Sequence, residues 1–295
     1  MKRKWNHGRW IALTAVVAVV VVAGVVAFGS GHGGVAAAPA ARSVARATAR
    51  PLRAARRTLL VLPSPLPQRS VRVPILMYHR IGPLSVSLPA ITRALTVSPR
   101  SFTAQMSWLA RHGYHAITQE QLFGALEHGA PLPRRPVMIT FDDGYRDVLW
   151  NAAPVLARLH FAATAYVITG RISGDDSSFL TWPQLRRLER LGVEIGSHTV
   201  HHVELPRLSD TAALAELTAS RRALEAYLGH PVQWFAYPAG RENLRVVQLV
   251  AQAGYVLAVT TQPSALQSAT APLLLHRYEV LDTTGVRGLA ALVGR

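Results

Sequence analysis

Short apolar segments alternate with helical segments from residue 73 to residue 280, and this alternation restricts the chain to few folds. The apolar segments have the length of strands and lie at residues 73–79, 137–139, 161–168, 192–196, 232–236, 255–260 and 273–280. Strands that alternate with helices form parallel sheets, and continuous apolar runs are typical of strands covered on both faces. About seven such strands predict an α/β architecture closed into a barrel.

Capping signals mark where helices begin between these strands. Ser98 followed by Pro99 is typical of a helix N-terminus, and Thr118 with Gln121 has the spacing of a capping box. Further helices are expected over residues 145–159, from residue 181, from residue 209 or 210, and over residues 244–253.

Two adjacent carboxylates follow the apolar run at residues 137–139. Residues 140–144 read Thr-Phe-Asp-Asp-Gly, so Asp142 and Asp143 stand where the strand is expected to end. Active sites of parallel α/β folds lie at this edge of the sheet. Neighbouring side chains at a strand end point in different directions, and Gly144 permits a sharp turn. One carboxylate can therefore bind a metal while the other accepts a proton.

A second polar motif follows the apolar run at residues 192–196. Residues 197–202 read Ser-His-Thr-Val-His-His, which places His198 and His202 four positions apart. In a helical turn that spacing puts both rings on one side. Two imidazoles and one carboxylate form a three-ligand set that leaves a catalytic metal room for water. His201 lies between the two histidines and is expected to point elsewhere.

The distribution of charge argues against a nucleic-acid partner. The chain of 295 residues has a formal net charge of +16, which by itself would suggest nucleic-acid binding. However, residues 1–72 contain 12 Lys and Arg and no acidic residue, whereas the remainder contains 20 against 16, a net +4. The basicity therefore belongs mainly to the N-terminal tail. Cysteine is absent, which excludes disulfides and thiolate metal sites.

The N-terminus predicts attachment to a membrane. Residues 1–28 consist of a basic flank and an uncharged apolar run of 18 residues at positions 11–28. This length is near the lower limit for a bilayer-spanning helix, and the basic flank should stay cytoplasmic. A cleaved signal is the alternative, since small residues follow at 36–41. Residues 29–72 predict a flexible linker rich in Gly, Ala, Arg and Pro, and residues 73–295 a catalytic domain outside the membrane.

The two polar motifs together resemble those of polysaccharide deacetylases of the NodB-homology type, carbohydrate esterase family 4. The resemblance covers roughly residues 73–285. It implies a distorted, incomplete TIM-like barrel, which agrees with the seven expected strands. It also implies a hydrolase that removes N-acetyl groups from a polysaccharide containing N-acetylglucosamine.

The resemblance implies a role for each residue of the two motifs. Asp143, His198 and His202 match the metal ligands of the family, and Asp142 matches the base that deprotonates water. Family members use zinc, cobalt or nickel, and two imidazoles with one carboxylate suit all three. Zinc is the metal expected from ligand type and availability.

The general acid has two candidates. Residues 75–81 read Ile-Leu-Met-Tyr-His-Arg-Ile and resemble a segment of the subset that deacetylates biofilm polymers such as poly-N-acetylglucosamine. In that subset the histidine matching His79 is the proposed acid. Residues 274–276 resemble a Leu-x-His motif of the wider family, which would make His276 the acid instead. The alignment we favour matches Arg277 to an arginine that orients the base, because residues 277–280 resemble the subset's strand.

The segment Phe-Ala-Tyr-Pro-Ala-Gly at residues 235–240 resembles the family's third motif imperfectly. Most members have an arginine at the position of Ala236, and members of the biofilm subset often lack it. Ala239 replaces a common aromatic residue, although its backbone N–H is still expected to complete an oxyanion hole. Tyr237, Pro238 and Ala239 are the candidate substrate-binding residues, and packing in the core is the other interpretation of Tyr237.

Other functions account for less of the sequence. A deacylase acting on a non-polymeric amide would use the same motifs and is the alternative enzyme. A catalytically silent carbohydrate-binding protein is disfavoured because ligands, base and an acid candidate are all present. A phosphoacceptor domain would explain Asp142 and Asp143 but not His198 and His202.

Overall fold

The computed structural model of the protein describes residues 69–294. Its strands are β1 (Ser70–Arg72), β2 (Ile75–Tyr78), β3 (Arg80–Ile81), β4 (Thr96–Val97), β5 (His115–Ala116), β6 (Pro136–Phe141), β7 (Ala163–Val167), β8 (Val193–Ser197), β9 (Trp234–Ala236), β10 (Leu257–Val259), β11 (Leu266–Ser268) and β12 (Tyr278–Glu279). Its α-helices are α1 (Ala90–Ala94), α2 (Pro99–Arg111), α3 (Gln119–His128), α4 (Ala153–Leu159), α5 (Trp182–Arg190), α6 (Asp210–Leu228), α7 (Leu244–Gln252) and α8 (Val286–Gly294). A π-helical turn spans Val148–Ala152, and 3₁₀ turns span Thr169–Arg171, Leu205–Arg207 and Pro238–Gly240.

The central sheet follows the strand order β10-β9-β8-β7-β6-β2-β12. Every neighbouring pair along this order is parallel. These strands correspond to the seven apolar segments from which strands were expected. The curled parallel sheet is consistent with a distorted TIM barrel, so the expected α/β class is confirmed.

One segment, residues 272–279, contains the edge strand β12 and also contacts β10 at the opposite edge of this sheet. Leu275 forms a parallel bridge with Val259 of β10. Further along the same segment, Tyr278 pairs with Leu76 of β2. The segment therefore bridges the two edges of the curl where a complete barrel would have a further strand.

Helices pack their apolar sides on the outside of the curl. Every residue of β2 and of β7 is buried, as expected for strands covered on both faces. Phe102, Met106 and Leu109 of α2 are fully buried in the layer between helices and sheet. Their spacing in the sequence predicted this face of the helix.

Helix N-termini form where the capping signals place them. Ser98 accepts a hydrogen bond from the N–H of Ser101 at 3.1 Å. Thr118 and Gln121 form a reciprocal capping box at the start of α3, and Ser209 caps α6. Each side chain satisfies a backbone N–H that has no partner within its helix.

The helix expected over residues 145–159 is less regular than its apolar spacing predicted. It begins with the π-helical turn, in which the N–H of Ala153 donates to the carbonyl oxygen of Val148. The next residue, Pro154, has no N–H to continue this pattern and stands in the first turn of α4, where a proline is tolerated. The chain therefore becomes regular α-helix only around this proline, in α4.

The predicted membrane segment and nearly all of the predicted linker lie outside the described residues. The expected linker includes residues 70–72, but these residues form β1 and pair antiparallel with β11. The folded domain thus already includes Ser70, before the expected boundary at residue 73. Within residues 69–294 no helix is both long enough and apolar enough to cross a bilayer.

Gly196→Ala should destabilise the sheet. A Cβ at residue 196 would lie 2.5 Å from Cδ1 of Tyr166 on the neighbouring strand and 3.1 Å from the carbonyl oxygen of Trp234. Overpacking of this kind costs ~1–3 kcal/mol. Denaturant unfolding should detect the loss, whereas Gly285→Ala is the control because a Cβ there meets nothing within 4 Å. An unchanged free energy of unfolding for Gly196→Ala would contradict this packing of Tyr166.

Candidate active site

Three parallel strands deliver polar residues to one edge of the sheet. His79 follows β2, Asp142 and Asp143 follow β6, and His198 follows β8. The N–H of Asp142 donates to the carbonyl oxygen of Tyr78 at 2.9 Å, which sets the ends of β2 and β6 side by side. The carboxyl ends of these strands therefore gather the residues that the two motifs singled out.

Asp143, His198 and His202 form a cluster of candidate metal ligands. Nε2 of His198 and Nε2 of His202 each lie 3.6 Å from Oδ1 of Asp143. One ligand atom from each residue lies within 4.8 Å of the other two. That Oδ1 atom is buried and has no hydrogen-bond partner within residues 69–294. A buried carboxylate oxygen without a partner is unfavourable unless a cation satisfies it, so the three residues fit a divalent metal ion.

The two histidine rings meet without the helical turn that their spacing suggested. Thr199 (φ 64°) and His202 (φ 57°) adopt left-handed conformations, which interrupt any helix after β8. Nδ1 of His198 donates to the carbonyl oxygen of Ala236 at 2.8 Å. This hydrogen bond fixes the ring so that Nε2 faces Asp143.

Glu216 of α6 anchors the loop that carries His202. Its Oε2 atom accepts the N–H groups of Val200 and His201, both at 3.0 Å. Its Oε1 atom lies 2.7 Å from Nδ1 of His201, whose side chain is 68% exposed. His201 therefore points away from the candidate ligands, and the loop is fastened to a long helix.

Burial shifts the pKa values of all three candidate ligands. It lowers the pKa of His198 to about 3 and also lowers the pKa of His202. It raises the pKa of Asp143 to about 6. Metals bind neutral imidazoles and ionised carboxylates. The histidines are thus ready to bind at neutral pH, and a cation would compete with a proton only at Asp143.

A fully buried arginine holds Asp142. Nη1 of Arg277 donates to Oδ1 of Asp142 and Nη2 donates to Oδ2, both at 2.7 Å. Nε donates to the carbonyl oxygen of Thr260 at 2.9 Å, and Nη1 also donates to Oγ1 of Thr140 at 3.2 Å. Burial alone would raise the pKa of Asp142, but Arg277 outweighs it and lowers the pKa to about 2. Asp142 is therefore an anion at neutral pH.

The two candidates for the general acid occupy different places. His79 lies beside the two carboxylates at the strand edge, and its buried Nδ1 has no hydrogen-bond partner in the described part of the chain. Nδ1 of His276 instead donates to the carbonyl oxygen of Leu266 at 3.1 Å, on β11. The structure thus places Arg277, and not its neighbour His276, against Asp142.

The third motif contributes differently from the expectation. The side chain of Tyr237 is fully buried and packs edge-on against Phe235, with ring centroids 5.1 Å apart. It therefore belongs to the core, as the second interpretation of the sequence expected, and not to the substrate-binding surface. Pro238 is buried too, whereas Ala239 is exposed with a left-handed backbone (φ 52°). The oxyanion role of the Ala239 N–H stays a prediction.

A cleft of about 370 Å³ opens beside the candidate ligands. Its lining contains Asp143 and His202 together with residues that the sequence did not single out: Arg80, Leu88, Pro89, Thr92, Tyr145, Ile168, Arg171, Asp176, Ser178 and Phe179. Tyr145 directly follows the Thr-Phe-Asp-Asp-Gly motif, and this position was the available signal for it. Arg80 belongs to the segment 75–81 that resembles the biofilm subset, and the other residues come from segments that carry no motif.

Comparisons with known proteins agree with this geometry. A family model described as polysaccharide deacetylase matches residues 129–258, which contain both polar motifs. The putative polysaccharide deacetylase YxkH of Bacillus subtilis strain 168 is 31% identical over 223 residues, covering 76% of this chain and 76% of that protein. The chain belongs to the polysaccharide deacetylase family. Members of this family are hydrolases that remove N-acetyl groups, so the protein is an enzyme of this class.

Further similarities of this polysaccharide deacetylase extend over most of its folded part. The poly-beta-1,6-N-acetyl-D-glucosamine N-deacetylase of Staphylococcus aureus is 24% identical over 199 residues, covering 63% of this chain and 68% of that protein. The structure of the Streptococcus pyogenes deacetylase PplD in complex with acetate has a TM-score of 0.70 and 31% identity, covering 76% of this chain and 99% of that chain.

Arg277→Met should move the acid limb of the pH–rate profile to higher pH. Without the guanidinium, burial raises the pKa of Asp142, and a base must be ionised to accept a proton. Activity should therefore fall at pH values where the wild type still works. Loss of one partner of a buried ion pair should also cost ~3–5 kcal/mol of stability.

The measurement is deacetylation rate against pH for the folded variant, with Arg277→Lys as the control because it retains the positive charge. An acid limb that stays in place after Arg277→Met would refute this role of Arg277.

Glu216→Ala should weaken divalent-metal binding by about 10–100-fold, the usual effect of losing a group that orients metal ligands. The variant frees the N–H groups of Val200 and His201 and so loosens the loop before His202. Calorimetric titration with Zn²⁺ measures the affinity. His201→Ala is the matched control, because it removes only the exposed ring bond. Equal affinities of Glu216→Ala and wild type would contradict the anchoring role.

Proposed function

We propose that the protein is a metal-dependent hydrolase that removes N-acetyl groups from a polysaccharide containing N-acetylglucosamine, outside the cytoplasmic membrane. The observation that carries this proposal is the convergence of Asp143, His198 and His202 beside an Asp142 carboxylate that Arg277 keeps ionised. Hydrolysis of an amide needs an activated water, stabilisation of the developing oxyanion and a proton for the amine. This strand edge contains residues suited to each task.

Asp143, His198 and His202 would hold the metal. A divalent ion bound there supplies Lewis acidity and lowers the pKa of water. Asp142 accepts the proton of the attacking water, and Arg277 keeps that carboxylate anionic and oriented. His79 then donates a proton to the leaving amine. This ligand set suits zinc, cobalt and nickel, and zinc is the metal expected from ligand type and availability.

The polymeric substrate is supported by the relatives and the site together. One relative is named for poly-beta-1,6-N-acetyl-D-glucosamine. Like many members of the biofilm subset, this chain lacks an arginine at position 236, and it has a histidine at position 79. A deacylase of non-polymeric amides is the second candidate. It would share the same catalytic residues, and its substrate would not extend along the cleft.

The proposed location rests on the sequence of the N-terminus. Residues 11–28 would anchor the chain, and residues 29–69 would tether the catalytic domain on the outer side. A cleaved signal would give a secreted enzyme instead. Detergent-independent release of a chain that begins near residue 40 would favour that alternative.

The test of this function combines metal analysis with acetate release from N-acetylglucosamine oligomers. Replacement of Asp143, His198 or His202 by Ala should abolish activity and lower bound metal below one equivalent. Asp142→Asn should retain the metal and lose ~10²–10⁴ in rate, the usual contribution of general acid–base catalysis. His201→Ala should retain both. Full metal occupancy in His202→Ala, or an active Asp142→Asn, would refute the assigned roles.

The choice between the two acids is tested by a matched pair of variants. His79→Ala should lower the turnover rate by ~10²–10⁴ while metal stays bound, because an amine leaves poorly unless it is protonated. His276→Ala should have the smaller effect, since its ring faces Leu266. A larger loss for His276→Ala, with metal retained, would overturn both the acid assignment and the relation to the biofilm subset.

A further inference from the structure

Four side chains on one side of the cleft form a continuous stack, which we call the stacked wall: Arg80, Tyr145, Phe179 and Arg171. The rings of Tyr145 and Phe179 are stacked, with centroids 4.8 Å apart and planes 20° from parallel. Cζ of Arg80 lies 5.2 Å from the centroid of the Tyr145 ring, and Cζ of Arg171 lies 5.2 Å from the centroid of the Phe179 ring. All four residues line the cleft that contains Asp143 and His202.

The backbone builds this wall. Tyr145 and Phe179 form an antiparallel bridge. The N–H of Arg146 donates to the carbonyl oxygen of Ser178 at 2.8 Å, and the N–H of Leu180 donates to that of Gly144 at 3.0 Å. Side chains directly opposite in such a pair lie close together, which favours aromatic contacts. The wall thus follows directly from the turn that positions Asp143.

Stacking determines what the wall can offer a substrate. A sugar ring normally packs on the face of an aromatic ring, but each ring of the wall already has the other ring and an arginine packed against it. Phe179 is also buried, with 8% of its surface exposed. The wall is therefore poor at packing against a sugar. Its available polar groups are the hydroxyl of Tyr145 and the guanidinium N–H donors, and the guanidinium donors prefer anionic oxygen.

The two arginines differ in how their charge is balanced. Nε of Arg80 lies 3.1 Å from Oδ2 of Asp147, and that ion pair is largely buried. Arg171 is exposed and has no carboxylate within 4.0 Å among residues 69–294. Asp143 and Asp176 also line the cleft, and the charge of Arg171 acts to lower the pKa of each, but neither carboxylate pairs with it directly. Oδ1 of Asp176 accepts the N–H of Ser178 at 2.9 Å. Arg171 is thus a cation held against a ring, and its guanidinium donors are not occupied by a carboxylate in the described part of the chain.

We propose that Arg171 binds an acidic group on the sugar next to the one that is deacetylated, so that the enzyme prefers a polymer carrying carboxylate or phosphate groups. This inference rests on the proposed function and specifies its substrate class. The cleft of about 370 Å³ is in the range of sites that hold a small molecule, which leaves room beyond the acetamido group itself. A stacked guanidinium also loses less freedom when it binds an anion, because its plane is already fixed.

Binding to the full-length protein tests this inference directly. Four oligomers of equal length are titrated by calorimetry: neutral N-acetylglucosamine, an oligomer with a lactyl carboxylate on every second sugar, the same oligomer with its carboxylates amidated, and an oligomer bearing phosphate. The wild type should bind a carboxylate or phosphate oligomer roughly tenfold more tightly than the uncharged ones, the usual effect of a charge-assisted hydrogen bond. The two acidic oligomers distinguish the source of the charge.

Variants identify the residue responsible. Arg171→Gln should remove the preference for the acidic oligomers and leave binding of the neutral ones within about twofold. Arg187→Gln is the matched control, because Arg187 stacks on Trp150 at 4.7 Å and does not line the cleft. Equal binding of the carboxylate and phosphate oligomers and their uncharged counterparts by the wild type would overturn the inference. An equal loss for every oligomer in Arg171→Gln would do the same.

Acetate release, measured separately, keeps the two proposals apart. Both proposals are supported if acetate is released from the acidic oligomer with a higher kcat/KM than from its amidated form, and if Arg171→Gln abolishes this difference. Release without any preference for charge overturns the role of Arg171 alone. Absence of acetate release from all four oligomers refutes the proposed function. The binding measurements then test the role of Arg171 independently.

Discussion

The ion pair between Arg277 and Asp142 connects the segment that closes the curled sheet, residues 272–279, with the proposed catalytic carboxylate. Both partners are almost completely buried, and the two hydrogen bonds between them are parallel and 2.7 Å long. Removing two charges from water is unfavourable unless the geometry is good and the remaining donors are satisfied. The carbonyl oxygen of Thr260 and the hydroxyl of Thr140 meet that need. The guanidinium thus holds the ends of β6 and β10 together with the closing segment.

The source of this arginine also explains how position 236 is used. The resemblance to the wider family implies an arginine there that pairs with the base. Here Asp142, the proposed base, pairs with an arginine from residues 272–279, and residue 236 contributes its carbonyl oxygen, which orients the ring of His198. A backbone group does not depend on the side chain, so an alanine suffices. The end of β9 thus orients the candidate ligand His198, and another part of the chain holds Asp142, the proposed base.

The sequence predicted the framework well because its signals are local. Apolar runs identified the strands of the central sheet, and side chains such as Ser98 and Thr118 identified helix starts through hydrogen bonds within one turn. The two polar motifs likewise identified the residues that the structure gathers at one sheet edge, because carboxyl ends of parallel strands share an edge.

The errors arose where distant contacts decide the conformation. Thr199 and His202 take left-handed backbones because neighbouring loops and Glu216 hold them, so the four-residue spacing did not give a helical turn. Tyr237 was a candidate groove residue, yet it packs in a core cluster with residues of other elements, such as Leu217 of α6 and Val246 of α7. The stacked wall joins residues 145 and 179 through a bridge that no local pattern reveals.

Arg277 reaches Asp142 from 135 positions further along the chain. During synthesis from the N-terminus, β6, β7 and β8 are therefore made long before Arg277. Until it arrives, an ionised Asp142 cannot be buried without a large desolvation penalty, so that edge of the sheet stays hydrated. The catalytic centre is consequently among the last parts of the domain to mature. A chain that ends before residue 272 would carry every candidate metal ligand and still lack a properly held base, which the titration of Asp142 in such a fragment would reveal.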